Sequence, residues 1–210
     1  MPSDLIKIYI LEEIMNYNEA LEYIHGIYWR GSKLGLTRTE EILRLLGNPQ
    51  KELKFIHVAG TNGKGSTSHL IAAVLQAQGY KVGLFTSPHL VDFRERIRVS
   101  GEMIPQEMVV RFVEDNRAFL DELQPSFFET TMALAFSYFV QQQVDVAVVE
   151  VGLGGRLDST NILSPMLSVI TNTNVDIVRS AMKLFIELQL IEIFDDKTIF
   201  MGEVEKMIGS

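Results

Sequence analysis

The chain of 210 residues contains no cysteine. This absence excludes disulfides, thiolate nucleophiles and cysteine-ligated metal sites, and it favours a reducing cytoplasm. No apolar run reaches the roughly 18 residues of a membrane-spanning helix, and the first 14 residues lack the basic segment that precedes the apolar core of a signal peptide. We therefore expect a cytoplasmic protein with no membrane partner.

Positive charge is also scarce. The chain has 19 Lys and Arg against 27 Asp and Glu, which gives a net charge of -8. A polyanion is not attracted to such a surface over long range, so nucleic acid is an unlikely partner. The four histidines lie without the spacing of metal-ligand motifs, at positions 25, 57, 69 and 89.

The hydrophobic pattern predicts strands that alternate with helices. Short apolar runs at 53–59, 81–86, 144–151 and 167–171 are typical of buried parallel strands. Helical periodicity appears at 106–123, at 129–142 and after Ser66, where Leu70, Ile71, Val74 and Ala77 would form the apolar face. The sequence therefore predicts an α/β fold with a mostly parallel, doubly wound sheet and flanking helices.

Both ends of the chain differ from this pattern. After Asp176 the sequence predicts a helix at 177–190, a β-hairpin with strands at 191–194 and 198–201, and a short helix at 202–208. We therefore divide the chain into an extension (1–14), an α/β domain (15–176) and a tail made of a helix and a hairpin (177–210). An incomplete sheet would leave an exposed edge, which could support self-association unless the hairpin covers it.

A glycine-rich loop, Gly60 to Ser66 (GTNGKGS), connects the first predicted strand to a helix. Backbone N–H groups at a helix N-terminus bind phosphate oxygens, and Lys64 could neutralise the β and γ phosphates. Ser66 or Thr67 could reach the nucleotide or its magnesium. A plain glycine-rich turn is the alternative, which the position of the loop between a strand and a helix disfavours.

The spacing of this loop differs from the common GxxxxGK[ST] pattern, and it resembles the Mur ligase superfamily, in particular its folylpolyglutamate synthase and dihydrofolate synthase branch. The segment Phe85 to Leu90 (FTSPHL) and the twelve residues from Glu150 to Asn161 (EVGLGGRLDSTN) are similar to the same branch. Read alone, FTSPHL could be only a turn, and a glutamate at a strand end is usually solvated. Ser87 lies 23 residues after Lys64, which is the spacing of the family.

The resemblance implies a role for each matching residue. Lys64 and Glu150 would be catalytic. Magnesium would bind at Ser66, Ser87 and Glu150, and ATP at Thr61, Asn62, Gly63, Lys64, Gly65, Ser66 and Thr67. The folate or dihydropteroate acceptor would contact Gly35, Leu36, Thr37, Arg38, Pro88, His89, Phe127, Phe128, Glu129, Leu157, Asp158 and Ser159. Phe127 and Phe128 could equally belong to the core.

The reaction implied by the resemblance is phosphorylation of a folate carboxylate by ATP, after which the amine of L-glutamate attacks the acyl phosphate. The similarity ends near Asp176, where Ile177 takes the place of a histidine that binds magnesium in the family. The regions that would close over ATP and hold glutamate have no counterpart, so we expect weak or absent turnover. The tail resembles a winged-helix segment of phage replisome organisers. A non-catalytic nucleotide- or folate-binding module and a cell-wall ligase ancestry are the alternatives.

Overall fold

The computed structural model describes residues 15–28, 35–153 and 157–171, together with the strand residues 192–193 and 200–201. Its main sheet has six strands in the order β4-β3-β2-β5-β1-β6. The strands are β1 (Phe55–Ala59), β2 (Val82–Phe85), β3 (Ile97–Val99), β4 (Glu102–Met103), β5 (Val146–Glu150) and β6 (Leu167–Ile170). Strands β2, β5, β1 and β6 are parallel, whereas β3 and β4 extend the sheet antiparallel from β2. The predicted α/β class with a mostly parallel sheet is confirmed.

In the described residues, five α-helices accompany the sheet: α1 (Tyr17–Tyr28), α2 (Thr37–Leu45), α3 (Lys64–Ala77), α4 (Gln106–Leu123) and α5 (Phe127–Gln141). The predicted helices at 106–123 and 129–142 correspond to α4 and α5, and α3 follows the glycine-rich loop as expected. Helices α1 and α2, which the periodicity of the sequence did not reveal, precede the sheet and pack against α4 and α5. Helix α5 begins at a capping box in which Ser126 and Glu129 bind each other's backbone N–H.

Alternate residues of each strand face opposite sides of the sheet, as the period of two requires. Ile56, Val82 and Val148 pack toward α3 in one cluster. On the other face, Phe55, Phe85 and Val149 belong to a larger core with α1, α2, α4 and α5. The sheet is thus covered by helices on both faces, as a doubly wound fold requires.

The predicted apolar face of α3 is wrong in part. Leu70 and Val74 are 68% and 63% exposed, and Ala77 is also exposed. Ser68 and Ala72 face the sheet instead, with Ile71 partly buried beside them. Small side chains at these two positions let the helix lie close to the strands, and this close approach decides which face is buried.

The tail is described only as two short strands, β7 (Glu192–Ile193) and β8 (Phe200–Met201), which pair antiparallel. This pairing confirms the predicted hairpin in those residues, and β8 lies beside β6 at the edge of the main sheet. The predicted helices at 177–190 and 202–208 and the extension 1–14 lie outside the described residues. No helix in the described part of the chain combines the length and apolar character needed to cross a membrane.

Candidate functional site

The ends of four parallel strands bring the candidate residues to one edge of the sheet. Strand β1 leads into the glycine-rich loop, β2 leads to Ser87, β5 ends at Glu150 and β6 leads to Thr171. Ligands of open α/β sheets collect at this carboxyl edge. The predicted nucleotide loop and the predicted magnesium ligands Ser87 and Glu150 therefore lie on adjacent strands.

The glycine-rich loop has a geometry that depends on its glycines. Gly60 has φ +141° and Gly63, the residue before α3, has φ +84°. These values are unfavourable for any residue with a Cβ atom. The loop delivers the chain to Lys64, the first residue of α3, so the N-terminus of a fourteen-residue helix faces the site. Thr61, Asn62, Gly63 and Ser66 are exposed, and Thr67 is partly buried.

Two side chains fix this loop. Lys64 Nζ donates to the carbonyl oxygen of Gly60 at 3.0 Å, which folds the lysine back over the loop. The Thr171 hydroxyl lies 2.7 Å from the carbonyl oxygen of Asn62 and 3.2 Å from that of Ala59. A Cβ atom on Gly60 would collide with the Thr171 hydroxyl. Thr171, which sequence reasoning did not single out, thus ties the end of β6 to the loop.

Glu150 is 4% exposed at the end of β5. Its Oε2 accepts a hydrogen bond from the backbone N–H of Ser87 at 2.9 Å, and a Cβ atom on Gly65 would lie 3.5 Å from the same oxygen. Burial raises the pKa of Glu150, while the Ser87 N–H and the charge of Lys64 act in the opposite direction. A carboxylate of this kind is stabilised by a nearby cation.

The donor set at this position fits magnesium. Among the described residues no group of three or more His, Cys, Asp or Glu side chains could hold a metal ion. Magnesium does not need such a cage, because it usually binds through one or two carboxylates, phosphate oxygens and water. Glu150, Ser87, whose backbone N–H is bonded to it, and Ser66 on the adjoining loop are the side chains here whose oxygen atoms could bind the ion.

An aromatic and cationic cluster lies next to these strand ends. The Phe127 ring, at the start of α5, stacks on His25 at a centroid distance of 5.5 Å and meets Phe93 edge-on at 6.0 Å. The guanidinium of Arg96 lies over the same ring at 5.0 Å, and its Nε donates to His89 Nδ1 at 2.7 Å. The structure therefore brings together two predicted acceptor contacts, His89 and Phe127.

The first helices place another group of predicted acceptor residues. Gly35 and Leu36 precede α2, which begins at Thr37. Arg38 forms an ion pair with Glu129 at 3.3 Å, and the Thr39 hydroxyl donates to Glu129 at 3.0 Å. Glu129 is only 2% exposed, so its carboxylate joins α2 to α5 rather than facing solvent.

Asp158 is likewise held within the protein. It is 7% exposed, and it accepts from the backbone N–H groups of Leu153 at 2.8 Å and Thr160 at 2.9 Å. The Thr160 hydroxyl donates to Asp158 and lies 2.8 Å from His57 Nε2, so a polar chain runs from β1 to this loop. Burial lowers the pKa of His57, against the effect of the Asp158 charge.

The remaining predicted acceptor residues are scattered along the same edge. The ring of Phe128 packs edge-on against Phe85 at 5.6 Å, a contact that fits the core alternative for this residue. Pro88 is exposed, as is Leu157 at 47%, and Ser159 is partly buried. Residues 154–156 of the predicted signature lie outside the described residues.

The fold and the glycine-rich loop together define the class of this protein, which is the nucleotide-binding α/β unit of Mur ligase type. The chain is 47% identical over 170 residues to the folylpolyglutamate synthase of Lacticaseibacillus casei, and the match covers 77% of this chain and 40% of that protein. It is 44% identical over 167 residues to the dihydrofolate synthase/folylpolyglutamate synthase of Bacillus subtilis, covering 76% of this chain and 39% of that protein. The chain is thus homologous to folylpolyglutamate synthases over most of its length.

Solved structures support the same homology. The folylpolyglutamate synthase of Thermotoga maritima has a TM-score of 0.72 and 45% identity, covering 78% of this chain and 39% of that one. An FPGS–AMPPCP–folate complex has a TM-score of 0.68 and 47% identity, covering 74% of this chain and 40% of that one. The chain therefore spans about two fifths of the length of these relatives. A family model of the N-terminal phage replisome organiser matches residues 155–210, which confirms the predicted resemblance of the tail.

Proposed function

We propose that this chain carries the ATP-binding and acceptor-binding part of a ligase that adds L-glutamate to a folate, tetrahydrofolate or dihydropteroate, through an acyl phosphate. The observation that carries the proposal is the meeting of the glycine-rich loop, Ser87 and Glu150 at one edge of the sheet. The relatives are named as enzymes of this kind, and solved relatives are named as complexes with AMPPCP and folate.

In this proposal each residue of the edge has a distinct task. The backbone of the loop and the N-terminus of α3 bind the phosphates of ATP, and Lys64 turns from the Gly60 carbonyl toward them. Magnesium, held by Glu150, Ser87 and Ser66, would offset phosphate charge during transfer. Glu150 stays ionised when such a cation lies beside it, because the cation opposes the effect of burial.

The acceptor would lie against the aromatic cluster. A flat ring system needs apolar walls with a few fixed polar groups, and Phe127, His25 and His89 supply both. Glu129 and Asp158 would act mainly by holding the walls of this site, since their oxygens already accept hydrogen bonds from the protein. A structural role for these two carboxylates differs from the direct contact that the family resemblance implies.

The first test is calorimetric titration of ATP with and without magnesium. We expect magnesium-dependent binding by the wild-type chain and at least a tenfold weaker affinity in Lys64→Ala, because the phosphates lose their one lysine within the loop. Lys81→Ala is the matched control, since Lys81 is exposed and lies immediately before β2, at the opposite end of the strand from the site edge. Equal affinity in all three proteins would contradict the assigned loop.

A turnover assay distinguishes an active ligase from a non-catalytic binding module. The sequence after Asp176 differs from the family, and Ile177 has no side-chain atom that could bind magnesium. We therefore expect ATP binding without steady release of ADP when folate and glutamate are added. This result would favour the second candidate, a non-catalytic nucleotide- and folate-binding module, for which the match of residues 155–210 to a different family is the specific support. ADP release that depends on both folate and glutamate would show instead that the chain is an active ligase.

A further inference from the structure

Arg96 is a buried cation whose role is not explained by the fold. It is 8% exposed at the end of a short 3-10 helix, Phe93–Arg96, immediately before β3. The ion pairs formed within the described residues do not include it. Burying a guanidinium without a carboxylate partner is costly, so the position calls for an anion.

The residues that contact the Arg96 side chain form no ion pair with it, and the charge of Glu150 acts on it from beyond ion-pair distance. Its Nε donates to His89 Nδ1, which therefore carries no proton, and its face lies on the Phe127 ring. Among the described residues, the bond to His89 is the one hydrogen bond that the side chain forms. The two terminal nitrogens therefore have no hydrogen-bond partner among the described residues.

The same side chain lies between the aromatic cluster and the phosphate edge. The Arg96 carbonyl accepts from the backbone N–H of Thr86, the residue before Ser87, at 3.0 Å. Its charge also acts on the carboxylate of Glu150. An anionic group that extends from a ring bound near Phe127 toward Ser87 and Glu150 would pass the guanidinium.

We propose that Arg96 binds the carboxylate of the acceptor through its two terminal nitrogens and presents that carboxylate to the phosphate edge. The inference rests on the proposed function, because it assumes an aromatic acceptor at the Phe127 cluster. A planar guanidinium matches a carboxylate in a bidentate arrangement, which a lysine cannot reproduce. The contact with the Phe127 ring and the bond to His89 hold the guanidinium in place before the ligand arrives.

The test compares two ligands that differ only in charge, pteroate and its primary carboxamide. Calorimetry is performed on the full chain with magnesium and AMPPCP present. We expect wild-type protein to bind pteroate about 10- to 100-fold more tightly than the carboxamide, the range expected for a charge-assisted hydrogen-bonded pair. Arg96→Gln should bind both ligands with the affinity that wild-type protein has for the carboxamide, and its affinity for AMPPCP should stay unchanged.

Arg94→Gln is the matched control. Arg94 lies two residues earlier, yet it is already paired with Asp92 at 2.7 Å, so this variant should keep the preference for pteroate. Loss of the preference in Arg94→Gln would overturn the assignment to Arg96. If Arg96→Gln does not fold, as judged by circular dichroism, Arg96→Lys replaces it; this variant keeps the charge but not the bidentate geometry and should lose most of the preference for pteroate, and an unchanged preference would overturn the role of Arg96.

The remaining outcomes separate the two proposals. Equal affinity of wild-type protein for pteroate and its carboxamide would overturn the role of Arg96 and leave the acceptor site standing. Binding of neither ligand would overturn the acceptor site and the role of Arg96 together. AMPPCP binding measured in the same samples reports separately on the nucleotide loop.

Discussion

Replacing Glu129 by alanine should destabilise the fold. The carboxylate is 2% exposed and accepts from the Ser126 N–H at 2.6 Å and from the Thr39 hydroxyl at 3.0 Å. Loss of the Glu129 half of the capping box leaves the Ser126 N–H without its partner and costs about 1 kcal/mol. The orphaned buried hydroxyl of Thr39 costs about 1–3 kcal/mol. Loss of the pair with Arg38, whose side chain is 16% exposed, adds up to about 1 kcal/mol.

The expected loss of about 4 kcal/mol is a large part of the roughly 5–15 kcal/mol that stabilises a typical domain. Urea unfolding followed by circular dichroism measures it as a lower midpoint. Glu129→Gln should lose less, because glutamine also completes a capping box. Glu41→Gln is the control, because Glu41 pairs with Arg44 at 2.7 Å on the exposed face of α2. The unfolding midpoint of this variant should match that of the wild-type protein.

One result would refute this reasoning. If Glu129→Ala unfolds at the wild-type midpoint, the carboxylate does not join α2 to α5 in solution. A simultaneous loss of pteroate binding would then support the direct acceptor contact that the family resemblance implies. If the midpoint falls and Glu129→Gln still binds pteroate, Glu129 is a structural residue of the site wall.

Two further predictions concern packing and pH. Gly83→Ala should cost about 1–3 kcal/mol in urea unfolding, because the added Cβ would lie 2.9 Å from the Phe139 ring. Gly26→Ala is the control and should not destabilise the fold, because nothing lies within 4 Å of its added Cβ. Equal effects of the two substitutions would contradict the packing of α5 on β2. Because burial lowers the pKa of His57 below 6.5, the unfolded chain binds more protons below pH 6.5 and stability falls as pH falls. His57→Asn should flatten this slope by up to about 1.4 kcal/mol per pH unit. A variant that keeps the wild-type slope would contradict burial of His57.

Much of the sheet could be predicted from local pattern. The run at 144–151 is almost wholly apolar, and it forms β5, a strand with neighbours on both sides and helices on both faces. The glycine-rich loop could be predicted because its chemistry is contiguous in sequence. Glu150 could be placed at the site edge because it is the last residue of this apolar strand. The strand lies next to β1, which is equally short.

The unpredicted features depend on contacts between distant residues. The exposure of Leu70 and Val74 follows from how closely α3 approaches the sheet, which helical periodicity does not encode. Thr171 acts on a loop that is more than a hundred residues earlier in the chain. Arg96 lies within a run of alternating charges, and only the fold shows that it is buried while Arg94 beside it is paired.

The order of the strands in the sheet determines which part of the site is held most firmly. Glu150 and the glycine-rich loop belong to β5 and β1, each of which has a parallel neighbour on both sides. Thr171 instead follows β6, the last strand of the main sheet in the described residues, which is hydrogen-bonded there only to β1 and has β8 of the tail beside its other edge. An edge strand is held by one row of hydrogen bonds rather than two, so it separates from the sheet more easily. Weakening of β6 would therefore release the loop carbonyls held by Thr171 before it disturbed Glu150, so the geometry of the glycine-rich loop would be lost before that of the carboxylate.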